Sequence, residues 1–83
     1  MLYMIQLQYS QEHRDAALRY FWEHGSTHYA GDVTVKGAWV ATRELIAYAL
    51  VHAVDPDEVA KACAPLEQFG KVEYRHVTSV DQL

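Results

Sequence analysis

Alternating and helical patterns of hydrophobic residues succeed one another along this chain. Leu2–Tyr9 puts Tyr3, Ile5, Leu7 and Tyr9 on one side and Leu2 and Met4 on the other, and the polar cluster Ser10, Gln11, Glu12 closes it. Such alternation predicts a strand. Over residues 11–24 the spacing becomes helical: Ala17, Leu18, Phe21 and Trp22 form one apolar stripe, and Gly25 is a natural stop. Ser10 is placed to cap this helix, with His13 rather than Glu at the reciprocal capping-box position. Residues 26–32 read as a loop. Alternation returns over 33–42, with Val33, Val35, Gly37 and Trp39 on one side and Thr34, Lys36, Ala38 and Val40 on the other, an edge-strand pattern with Trp39 inward.

Arg43 and Glu44 make a turn, and residues 45–51 are apolar at every position, as in a strand covered on both faces. A second helix starts at Asp55-Pro56-Asp57-Glu58: an N-cap, a proline at the first helical position, and acids where the helix dipole favours them. Its stripe is Val59, Ala62, Cys63 and Leu66, and Pro65 ends the regular helix early, leaving a looser turn before Gly70. Residues 71–80 form the last strand. The order β-α-β-β-α-β predicts an α+β, ferredoxin-like domain over residues 1–83, with a four-stranded antiparallel sheet in the order 4-1-3-2 and both helices on one face. No internal repeat, low-complexity tract or linker interrupts it.

That layout leaves one face of the sheet uncovered, although the central strands carry large apolar residues on both faces. Few soluble monomers expose so large an apolar patch, so a homodimer through the open sheet face is expected. At 83 residues the chain has room for one core, and self-association adds burial that so small a domain lacks. A net charge of −4 with only 7 Lys and Arg argues against nucleic acid, whose phosphates need counter-charge. The first nine residues lack a basic leader and contain Gln6 and Gln8, so they read as neither signal peptide nor membrane anchor. A single cysteine, Cys63, fits a reducing, cytoplasmic compartment.

Known chemistries of this topology fail on their motifs. An RNA-recognition motif needs basic and aromatic residues on its third strand, a copper chaperone needs Cys-x-x-Cys after the first strand, and an acylphosphatase needs an arginine in an anion loop where this chain has Gln11 and Glu12. No triad spacing or phosphate loop is visible. His24 and His28 have a metal-ligand spacing, but Gly25 breaks the helix between them and no third ligand follows; neither a metal nor a cofactor is expected. His76 alternates with Val72, Tyr74 and Thr78, so His76 and Tyr74 share a face and are the candidate proton-transfer and phenolic groups of a ligand cavity, against the plainer reading of an edge-strand histidine wetted by solvent. Tyr3, Trp39 and Tyr48, with His52 at a strand end, are candidate ligand-lining residues, against the plainer reading of core filling. Arg43 and Arg75 are the nearest cations for an anionic ligand, each beside an acid. Cys63 reads as core.

Four segments carry a family resemblance: Met1-Leu2-Tyr3-Met4, Asp15-Ala16-Ala17-Leu18, Gly37-Ala38-Trp39, and Val54-Asp55-Pro56-Asp57-Glu58. Through them the chain resembles the dimeric α/β-barrel superfamily and, within it, a family of short bacterial proteins described only as a domain of unknown function. It departs from that pattern at His52, where an acid is frequent, and in lacking a tryptophan-rich end to the second helix. The resemblance implies a fold and a dimer. Two functions follow as expectations: a homodimeric binding or assembly module, or a cofactor-independent isomerase or monooxygenase-like enzyme holding a small aromatic or carbonyl compound between sheet and helices.

Overall fold

The computed structural model describes residues 1–24 and 32–83. It contains β1 (Leu2–Tyr9), α1 (Arg14–His24), β2 (Val33–Ala41), β3 (Ile46–Ala53), α2 (Pro56–Cys63) and β4 (Gly70–Val77). The strands form one antiparallel sheet in the order β2-β3-β1-β4, the predicted ferredoxin-like arrangement read from its other edge.

Local chemistry accounts for where the elements start. Ser10 Oγ accepts from the His13 backbone N–H at 3.3 Å, and the hydroxyl also hydrogen-bonds His13 Nδ1 at 2.8 Å. The histidine thus ties down the cap through its ring, and a 3-10 turn, Gln11–His13, leads into α1. Asp55 caps α2 by accepting from the Glu58 N–H at 3.1 Å, with Pro56 at the first helical position. Glu58 accepts in turn from Lys61 Nζ and from the Asp32 N–H, and these bonds hold its carboxyl below the usual carboxylate range. The helix ends at Cys63, and a 3-10 turn, Ala64–Gln68, carries Pro65.

The core lies between the sheet and the helices. β1 contributes Tyr3, Ile5, Leu7 and Tyr9, β3 contributes Ala47, Ala49, Val51 and Ala53, α2 contributes Val59, Ala62 and Cys63, and the 3-10 turn after it contributes Leu66, all buried. Small residues on β3 let the helix layer come close to the sheet. Tyr20 of α1 rests on Phe69 with ring centroids 5.6 Å apart. Gly70 is where β4 meets β1: a Cβ there would stand 2.0 Å from the Gln8 carbonyl oxygen, so only glycine allows the pairing.

Four expectations change. The apolar stripe of α1 is Ala17 and Phe21 with Leu18 at its flank, while Trp22, next around the helix, is 89% exposed. Residue 45 is not in the third strand: Leu45 adopts a left-handed φ of 59°, closes the turn from β2, accepts the Tyr9 N–H at 3.0 Å, and packs its side chain on the core. The last strand ends at Val77, and residues 80–82 turn back as a 3-10 helix.

The fourth change concerns Trp39. The β2–β3 register runs Val35↔Val51 and then Gly37↔Leu50, so Lys36 has no partner. This β-bulge shifts the side-chain phase by one residue. Trp39 therefore pairs with Tyr48 on the face opposite Val33 and Val35, and is 55% exposed rather than inward. Its ring lies over Gly37, where a Cβ would meet the indole at 2.6 Å.

Candidate functional site

Strand register sorts the six sequence-predicted ligand residues into two groups, because directly paired residues share a sheet face. Tyr3 pairs with His76 and Ile5 with Tyr74, which puts Tyr3, Tyr74 and His76 on the helix side. His52 pairs with Leu2, and Tyr48 with Gln6 and Trp39, which puts Trp39, Tyr48 and His52 on the open side. The sheet separates Tyr3, which is fully in the core, from Trp39 and Tyr48. Tyr74 is 41% exposed on the outer strand.

At one end of the sheet the two groups meet. A cavity of about 330 Å³ lies where β1 begins and β3 and β4 end, lined by Met1, Leu2, His52, His76, Val77, Thr78 and Gln82. The Tyr3 ring positions the imidazole of His76 from the core side, with centroids 5.5 Å apart and planes at 57°. The Tyr3 hydroxyl points toward Met1 Sδ at 3.9 Å. His52 is fixed by the Met1 amino group, which is 3.1 Å from its Nε2 and donates at 3.1 Å to the Ala53 carbonyl. A protonated amine has no lone pair to offer, so Nε2 accepts and the ring proton of neutral His52 sits on Nδ1. Tyr74 is not part of this lining.

Thr78, expected beside His76 on the last strand, does line the cavity with it, whereas nothing in the sequence points to Gln82 or to the chain turning back after Val77. Ser10, expected to cap the first helix, does so, while His13, read only as a departure from the capping box, bonds the Ser10 hydroxyl through its ring. Those two residues border an open depression of about 540 Å³ with Glu67, Gln68 and Lys71. A third hollow, about 280 Å³, is apolar and runs between α1 and β2, lined by Leu18, Phe21, Trp22, Ala38, Trp39 and Val40.

The remaining candidates fall outside the cavity. Arg75 is paired with Glu73 at 3.2 Å, and Lys71 reaches the same carboxylate at 3.4 Å. Arg43 sits exposed in the β2–β3 turn. Cys63 is buried, and burial first, then the Glu67 charge, pushes its thiol up to about 11. It is a core residue held protonated at neutral pH. His28, and with it the His24–His28 pair, lies outside the described residues. Among the described residues no three His, Cys, Asp or Glu side chains gather as metal ligands, and no helix is long and apolar enough to cross a membrane.

A family profile, Domain of unknown function (DUF3303), matches residues 1–83. The chain belongs to the DUF3303 family. Comparison with curated proteins and with solved structures gives no match. Membership of DUF3303 covers the cavity, the open face and both helices, and brings no chemistry with it.

Proposed function

We propose that this DUF3303 domain is a homodimeric binding or assembly module in which the open sheet face packs on the same face of a second copy. The observation that carries this reading is the distribution of side-chain size on β3. Toward the helices this central strand presents Ala47, Ala49, Val51 and Ala53, whereas away from them it presents Ile46, Tyr48 and Leu50, which remain half-buried. Leu2 and Met4 of β1 and the exposed Trp39 extend the patch. Four strands of eight or nine residues cover about 500 Å² per copy, so two copies come to the threshold of about 1,000 Å² that separates a specific interface from a weak contact.

Charge on this face is partly offset within the chain, two cations against one carboxylate. The ionic side chains of β4 on this face, Lys71, Glu73 and Arg75, pair with one another within the chain. Resemblance to dimeric α/β-barrel proteins supports the same arrangement, and a lone buried cysteine suits a cytoplasmic setting. Sedimentation of the parent at micromolar concentration is expected to give twice the 9.5 kDa chain mass, and Leu50→Lys to give the chain mass with unchanged circular dichroism. A parent that sediments as a monomer overturns the reading.

The end-of-sheet cavity favours a second reading, a cofactor-independent isomerase or monooxygenase-like enzyme acting on a small aromatic or carbonyl compound. In it His76 moves the proton, an effect worth about 10²–10⁴-fold in rate. Tyr74 lies two residues along the same strand face, and on this reading it serves the cavity mouth.

A further inference from the structure

We infer that the cavity at the start of β1 is a binding site for a small organic carboxylate with an apolar body. This deepens the ligand-pocket reading and requires neither turnover nor a dimer. The polar groups of the wall are the imidazoles of His52 and His76, the hydroxyl of Thr78 and the amide of Gln82. Each can donate a hydrogen bond, and none carries a negative charge. No Asp or Glu stands in this wall to repel an anion. Asp81, on the closing turn, is engaged by the Ser79 hydroxyl.

Donor chemistry agrees with an anion. His52 has Nε2 taken by the Met1 amino group, so Nδ1–H is its free donor. His76 is braced by Tyr3 and keeps its ring exposed. The imidazoles, on the strands either side of β1, and the Thr78 hydroxyl offer donors along the wall, and hydrogen bonds to a carboxylate are the stronger charge-assisted kind. Leu2 and Val77 supply the apolar wall, which a bare inorganic anion would leave unused. A volume of about 330 Å³ stands at the small end of ligand pockets and has room for a one-ring compound. Cations find no acid here, and a metal finds no third ligand among the described residues.

The test is a titration followed by amide NMR, using benzoate, its neutral isostere benzamide, and inorganic phosphate. Benzoate is expected to shift the amides of Leu2, His52, His76 and Thr78 saturably, with benzamide and phosphate weaker by about tenfold or more. His52→Ala and His76→Ala change exposed side chains and should keep the folded spectrum while weakening benzoate by about tenfold each. No shift at millimolar benzoate, shifts centred elsewhere, or equal binding of benzamide overturns the proposal. Phosphate binding as tightly as benzoate removes the apolar body from it. Sedimentation of the same samples reads the dimer separately, so either proposal can fail alone.

Discussion

The same strands build two unlike faces. On the helix side every core position of β1 and β3 is buried, and the residues of β3 are small; on the open side the residues of β3 are larger and only half covered. A fold selected only for monomer stability would put its larger apolar groups where burial is complete, since stabilisation follows the apolar area removed from water. The inversion teaches that close approach of the helices limits one face, while the other face holds apolar area in reserve.

The largest effect should come from the covered face. Leu7→Ala deletes a fully buried side chain of the central strand and should cost about 2–5 kcal/mol, read as a lower urea midpoint at every protein concentration. Trp39→Ala on the open face should cost about 1 kcal/mol or less when placed in the Leu50→Lys background, because the residue is 55% exposed, with its ring over Gly37 and Tyr48 opposite it on β3. A core-sized loss there would place the indole back inside and break the comparison. The smallest effect belongs to Tyr9, whose hydroxyl is buried with no hydrogen-bond partner among the described residues. Tyr9→Phe should leave thermal stability unchanged or raise it by about 1 kcal/mol, since an unsatisfied buried polar group is removed and the ring is kept. A clear loss would reveal a partner, such as an ordered water, for that hydroxyl.

Much of the helix-covered face was legible in the chain. The stripe Val59, Ala62, Cys63, Leu66 and the cap at Asp55 are local patterns, and each needs only a few neighbouring residues to be read. The same holds for the odd positions of β1. What escaped were features set by the partner strand or by the turn. The bulge at Lys36 adds one residue to β2 against β3, and period-two reading has no means to register an extra residue, so Trp39 changed faces. Leu45 reads as strand because it is apolar, yet the turn requires a left-handed residue and takes a leucine whose side chain gains core contact. Trp22 joined a stripe by spacing alone, although it stays exposed beside the hollow between α1 and β2. For the candidate site, His76 and His52 were visible as strand histidines, but their meeting at one cavity depends on β1 lying between their strands.

That central position of β1 also has a kinetic consequence. Its partners are β3, pairing Leu2 with His52, and β4, pairing Leu2 with Val77, so neither edge is satisfied by a sequence neighbour. The β2–β3 hairpin can close locally, whereas β1 waits for loop closures that span much of the chain, and such non-local pairing is what slows folding. Until both partners dock, β1 is an unpaired strand with apolar residues on both sides, the kind of segment that recruits other chains. The interval between hairpin formation and β4 docking is therefore when this protein is most exposed to aggregation.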